Sequence, residues 1–219
     1  MDRDESSQIK SFGHVEMTLD LLKVVETGGD LSQRGFAARL GIALGLTNAL
    51  LKRAVKKGLI KIKDAPARRY GYYLTPKGFV EKSQLSAEFL SSSLQFFRRA
   101  RNQYEDDLSY CKMRGWKRIV VIGSGELAEI VTLSAQSCQV PLVGIIDATH
   151  NMDTFCGLPV YSDIEKAGQV DAYIVADALA PQQVYDSLIK RFPEERIFTP
   201  SILHVSRNPV DEYRRGEDA

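Results

Sequence analysis

The chain is poor in cysteine and histidine and has no long apolar run. Its three cysteines, Cys111, Cys138 and Cys156, stand far apart among 219 residues, with no C-x-x-C pair. That spacing offers neither a zinc ribbon nor a disulfide framework and fits a reducing cytosol. No apolar stretch approaches the roughly 18 residues of a membrane helix. The opening residues, MDRDESSQIK, are polar and acidic rather than a signal peptide. A cytoplasmic protein without a membrane segment is therefore expected. The histidines, His14, His150 and His204, fall in different segments, and beyond residue 116 no Tyr is followed four residues later by Lys. No general base with an orienting partner can be assembled, so no enzymatic activity is expected.

Charge is present but unevenly placed. Residues 1–115 carry 20 Lys/Arg against 13 Asp/Glu, a balance of +7, and residues 116–219 carry 9 against 15, a balance of −6. Residues 31–82 alone hold 12 basic and 2 acidic side chains. Basic charge confined to one half points to a polyanionic partner for that half, the alternative being a solvated basic face.

Hydrophobic spacing divides the chain. Val15, Leu19, Leu22 and Val25 recur at helical intervals over residues 9–26. Ser32 stands as the N-cap of a short helix ending at Leu40-Gly41, and a second helix runs from Leu44 to Lys57 before Gly58. Two short helices about a tight glycine turn form a helix-turn-helix. Leu59–Lys63 and Tyr70–Leu74 then alternate as strands around a turn-rich Asp64–Arg69, making a basic hairpin, or wing. A long helix without Pro or Gly follows from Phe79 to Met113. Ala87, Leu90, Leu94, Phe97, Arg101, Tyr104, Leu108 and Cys111 recur along it at spacings of three and four. This seam predicts a homodimer, the alternative being a helix packed on its own chain. From residue 116 apolar strands (117–122, 141–147, 171–176, 196–198) alternate with helical stretches (126–137, 162–167, 181–192), the pattern of a parallel sheet covered on both faces. The expected fold class is α/β. The expected organisation is a winged-helix domain over 1–79, a linking helix over 80–115, a Rossmann-like domain over 116–205 and a loose polar tail over 206–219.

Two sets of residues carry candidate chemistry. In the second short helix Thr47, Leu50, Leu51 and Ala54 form an inward stripe, leaving Asn48, Lys52, Arg53 and Lys56 for a DNA major groove. There Asn pairs with adenine and Arg with guanine. Lys56 and Lys63 suit phosphates, and Arg68 and Arg69 at the wing tip suit the minor groove. The second set is Gly123-Ser124-Gly125-Glu126-Leu127-Ala128, which follows a strand and opens a helix as the G-x-G-x-x-G/A fingerprint requires. Gly123 permits the turn, Gly125 admits a phosphate to the backbone amides, and Asp147 ends the next strand where a ribose-binding acid belongs.

Residues 15–105 resemble the winged-helix MarR-type regulators associated with exopolysaccharide gene clusters. The likeness lies in Leu31-Ser32-Gln33-Arg34, Leu40-Gly41, Leu44-Gly45, Thr47-Asn48, Leu50-Leu51-Lys52, Lys57-Gly58 and Thr75-Pro76-Lys77-Gly78. The second half resembles the small Rossmann domain of sugar-nucleotide-processing proteins, through Val143–Asp147, Gly157–Asp163 and Asp171–Ala176. It also resembles, less closely, the NADH-reading half of redox-sensing repressors. Together these imply a regulator of surface-polysaccharide genes that binds double-stranded DNA and senses a nucleotide sugar or its nucleotide part. The alternatives are an NAD(H)-sensing repressor, and a nucleotide-sugar or NAD-dependent enzyme with an accessory helical domain.

Overall fold

The computed structural model describes residues 15–27, 31–65, 69–149 and 153–207. The chain is a mixed α/β protein that divides into two compact units, Met1–Gln95 and Phe96–Ala219.

The first unit holds α1 (residues 15–26), α2 (Gln33–Leu40), α3 (Leu44–Lys56), β1 (Ile60–Ala65), β2 (Arg69–Leu74) and the beginning of α4 (Pro76–Met113). Ser32 caps α2, its side chain accepting from the Gly35 N–H at 3.2 Å. Gly41 ends the helix in the left-handed region at φ 64°, which glycine reaches without a Cβ penalty. Ala43 opens α3 without a side-chain cap. Thr47, Leu50, Leu51 and Ala54 are all buried, and the three apolar ones meet Leu21, Leu22, Val25 and Phe36 in one core. Tyr72 from the hairpin closes that core, its ring edge-on to Phe36 at 5.1 Å. The strands pair antiparallel from Ile60–Leu74 to Ala65–Arg69, so the hairpin is longer than the alternation predicts. Arg69 therefore lies within β2, opposite Ala65, rather than beyond the strands.

Thr75-Pro76-Lys77-Gly78 joins hairpin to helix, and each residue has a physical role. Thr75 Oγ1 accepts from the Gly78 N–H and donates to the Gly58 carbonyl at 2.7 Å. Pro76 occupies the first helical position, where its missing N–H costs nothing. Lys77 Nζ donates to the Lys57 carbonyl at the end of α3. Gly78 packs directly on the Leu59 backbone.

The helix α4 departs from the expected single seam and from a separate linking element, being divided between the two units. Ala100, Tyr104, Leu108 and Cys111 are fully buried in the second unit's core, with Phe97 packed against it. Arg101 pairs with Glu105 and donates to Ser137. Only Ser83, Ala87, Leu90 and Leu94 remain exposed along the seam, Leu90 at 59% and Leu94 at 45%. The spacing is the same throughout, but the sheet claims the second half of it.

The second unit is built on a sheet in the order β5-β6-β4-β3-β7-β8. Its strands are β3 (Ile119–Ile122), β4 (Leu142–Ile146), β5 (Thr154–Phe155), β6 (Leu158–Tyr161), β7 (Ala172–Val175) and β8 (Ile197–Phe198). Strands β6, β4, β3, β7 and β8 run parallel, with β5 antiparallel at the edge. Chain order reverses at β3, between β4 and β7, the doubly wound arrangement. Neither β5 nor β6 is expected from the alternation, because each is short and their burial is partial. Helix α5 (Glu126–Cys138) connects β3 to β4, and α6 (Pro181–Ile189) connects β7 to β8. The crossover from β6 to β7 holds only a 3-10 turn, Ile164–Ala167, in place of the longer helix expected at 162–167. Hydrogen bonds from Arg101 to Ser137 and from Lys112 to the Cys138 carbonyl fasten α4 to α5. At the start of the expected loose tail, Ser206 exchanges two hydrogen bonds with Gln182 of α6. Residues 208–219 lie outside the described residues. Among the described residues no helix is long and apolar enough to cross a membrane.

Candidate functional site

In the first unit the inward stripe of α3 leaves Lys52, Arg53 and Lys56 exposed on its other side, with Leu46 and Ala49. Lys61 and Lys63 are exposed on β1, and Lys63 Nζ stands 5.5 Å from the centroid of the half-exposed Tyr73 ring. Residues 31–63 contain eight Lys/Arg and no Asp or Glu, so no carboxylate of α2, α3 or the start of β1 neutralises this surface.

Asn48 stands at the edge of that surface, one helical turn before Lys52. It is half-buried, and its Oδ1 is enclosed with no hydrogen-bond partner. The reason is helical geometry: Asn48, Leu51 and Val55 are spaced by three and four residues, which aligns Asn48 with the inner edge of the stripe. With Gln33, Lys52 and Lys56, and with Leu51, Val55 and Tyr72, it lines a cavity of about 330 Å³. Arg68 lies outside the described residues, and only the backbone of Arg69 is described.

In the second unit a cleft of about 600 Å³ lies at the carboxyl ends of β3, β4 and β7, where strand order reverses. That is where open α/β sheets bind ligands. Gly123, Ser124, Gly125, Glu126, Leu127 and Asp147, the whole set expected from the fingerprint, line it. They contribute differently. Gly123 has φ 102°, and a Cβ there would stand 2.9 Å from the Asp177 amide nitrogen, so this glycine serves the turn itself. Gly125, the N-cap of α5, has extended backbone (φ −96°, ψ −166°), and a Cβ there would meet no atom within 4 Å. Nothing within the chain requires a glycine at that position, and what its missing Cβ clears is cleft. Leu127 turns its side chain into the core, 4% exposed, leaving only its backbone for a ligand. Ala128 is fully buried and holds α5 close to the sheet, as the fingerprint requires.

Asp147 is held in place by its neighbours. One carboxylate oxygen accepts from the Ser124 hydroxyl, and the other from the Thr149 amide and hydroxyl at 2.8 and 2.7 Å. A ligand hydroxyl would replace one of these hydroxyl donors. Asp177, at the end of β7, accepts from the Leu179 and Ala180 amides and so fixes the start of α6 beside the Gly123 turn. Neither Asp177, nor the α6 residues of the cleft, Val184, Ser187 and Leu188, nor Arg191 just past that helix, emerge from the motif. The position of Asp177 just past a buried strand is the signal that would have found it.

Behind the cleft, α4 reaches the same strand end, where Tyr104 donates its buried hydroxyl to the Val175 carbonyl at 3.1 Å. Asp107, one turn along, has its pKa raised to about 6 by burial first and the neighbouring Asp106 charge second, with Arg207 opposing. Cys111 is pushed up to about 12 by burial and Asp107, so it is an unreactive thiol.

No family model matches the chain, and no curated protein matches it. Among solved structures it is similar to MepR, a transcription regulator of the Staphylococcus aureus multidrug efflux pump MepA. Identity is 16%, over 44% of this chain and 82% of that one, with a TM-score of 0.33. It is also similar to human N-acetylserotonin methyltransferase in complex with SAM, at 14% identity over 75% of this chain and 65% of that one, with a TM-score of 0.28. Both scores are too low to carry any residue role across.

Proposed function

We propose that the protein is a DNA-binding transcriptional regulator, with a winged helix in its first unit and a Rossmann-like sensor of a nucleotide-containing metabolite in its second. The observation that carries the DNA-binding reading is the cationic face of α3 and β1, with Lys52, Arg53, Lys56, Lys61 and Lys63 exposed over a fully buried opposite stripe. Such a face supplies phosphate neutralisation and one guanidinium for a base edge. Arg53→Ala should weaken specific binding by about 1–3 kcal/mol and relax specificity at one base pair. Genomic footprinting and gel shifts test this, and the reading fails if no site binds better than random DNA.

A homodimer would place two such heads on a near-palindrome, since one winged helix reads few bases. The structural support is the exposed part of the α4 seam, Ser83, Ala87, Leu90 and Leu94; Phe97 belongs instead to the second unit's core. The double variant Leu90→Glu, Leu94→Glu should sediment as a monomer while keeping its helix content. A wild-type monomer at micromolar concentration in the ultracentrifuge contradicts the dimer.

The sensor reading rests on the cleft at the strand-order reversal, with Gly125 open to it and Asp147 at its edge. A nucleotide sugar ranks above NAD(H) as effector, and surface-polysaccharide genes as targets, only on the sequence resemblance. Titration calorimetry with both ligand classes separates them.

A further inference from the structure

Among the described residues, the side chains lining the cleft include four carboxylates, Glu126, Asp147, Asp163 and Asp177, and a single cation, Arg191. The first turn of α5 also carries Glu129. Among the described residues, a phosphate at the glycine turn would therefore meet backbone amides but no cationic side chain, with Glu126 and Glu129 offsetting part of the helix dipole. The described place in the cleft that can neutralise an anion lies at Arg191.

That place is well separated from the turn. Asp177 pins the beginning of α6 beside Gly123, Val184, Ser187 and Leu188 then line the cleft along the helix, and Arg191 follows its C-terminal end. At 1.5 Å per residue, the helical stretch from Val184 to Ile189 covers roughly 8 Å. The opposite wall is the segment after β6, where the crossover is a single 3-10 turn, and Arg191 forms an ion pair across the groove with Glu165 of that turn. Both partners are exposed, Arg191 at 45% and Glu165 at 64%. An exposed pair of this kind is worth little, so exchanging Glu165 for a ligand oxyanion is cheap. The exchange gains a planar guanidinium contact suited to phosphate or carboxylate.

We propose that Arg191 sets the ligand class of this cleft: a nucleotide carrying a terminal oxyanion remote from its ribose, which takes Arg191 from Glu165. The inference rests on the nucleotide reading above and adds to it a second point of recognition. A terminal phosphate and the carboxylate of an acidic sugar share this chemistry.

Titration calorimetry of the full chain with UDP, UDP-glucuronate, UDP-glucose and NADH tests it. UDP or UDP-glucuronate should bind more tightly than UDP-glucose and NADH, which end without a free oxyanion. If UDP is the tighter of the two, the terminal group is phosphate; if UDP-glucuronate, it is carboxylate. Arg191→Ala should weaken the tighter ligand about tenfold, the worth of a hydrogen bond to a charged group. UDP-glucose should be left unchanged. Glu165→Gln, which removes the competitor and leaves Arg191 in place, should tighten the same ligand severalfold. If UDP-glucose or NADH binds best and both variants behave as wild type, the role of Arg191 is overturned and the nucleotide reading stands. If none of the four ligands binds wild type, the nucleotide reading falls and this inference falls with it.

Discussion

Gly78→Ala should destabilise the first unit by about 3 kcal/mol, the upper part of the range for an overpacked site. Helix propensity alone gives the opposite sign, because alanine is better than glycine inside a helix by about 1 kcal/mol. Sterics decide the matter. A Cβ at Gly78 would stand 2.1 Å from the Leu59 carbonyl oxygen and 3.0 Å from its carbon, and the atoms in the way are backbone, which cannot swing aside. The Leu59 carbonyl is also in use, accepting from the Thr75 amide at 3.0 Å and from its hydroxyl. Relief would move the start of α4 away from the hairpin and break the Thr75 bonds that join Gly58, Leu59 and Gly78. For a unit of this size the loss corresponds to roughly 10–20 °C in melting temperature. Far-UV circular dichroism should show it. Fluorescence of the lone Trp116, packed with Tyr110 and Phe198 in the second unit, should keep its own transition. An increase in melting temperature would show that propensity, not the Leu59 contact, governs the site.

The same position illustrates what can be read from sequence. Thr75-Pro76-Lys77-Gly78 is visible as a helix start, but the reason for its glycine is a contact with Leu59, nineteen residues earlier. Local periodicity marks the inward stripe of α3, and every member of it is buried, because a buried stripe is a property of one helix. The strands β3, β4 and β7 are likewise legible as short apolar runs, and the glycine turn as a motif between a strand and a helix. Properties that depend on what packs where are not legible. Asn48 differs from Lys52 only in its angular position beside Leu51 and Val55, and that small rotation leaves it half-buried with its Oδ1 enclosed while Lys52 is exposed. The α4 seam keeps one spacing from Ala87 to Cys111, yet its second half is claimed by the sheet and its first half is not. Arg191 carries no motif at all. It reaches the cleft because it follows the last turn of α6, whose start is fixed by Asp177 beside the glycine turn.

The two glycines of the turn should separate folding from binding. Gly125→Val should reduce affinity for the nucleotide ligand at least about a hundredfold, close to 3 kcal/mol, with little loss of stability. Its backbone is already in a region open to any residue, and an added Cβ meets no atom of the protein within 4 Å. The structural cost is that of a poor N-cap, on the order of 0.5–1 kcal/mol. The binding cost is large because the side chain fills the space through which a phosphate reaches the amides at the start of α5. Gly123→Ala should do the reverse. It forces a non-glycine residue to φ 102° and sets its Cβ 2.9 Å from the Asp177 nitrogen, so it damages the turn and the start of α6 before any ligand is present. Calorimetry for binding and thermal melting for stability, run on both variants, should thus show binding lost without unfolding in one and unfolding in the other. DNA affinity of ligand-free Gly125→Val should match wild type, since its change lies outside the first unit. Wild-type ligand affinity in Gly125→Val would mean that the phosphate does not approach the turn, and the seat would have to be sought at the Arg191 end of the cleft.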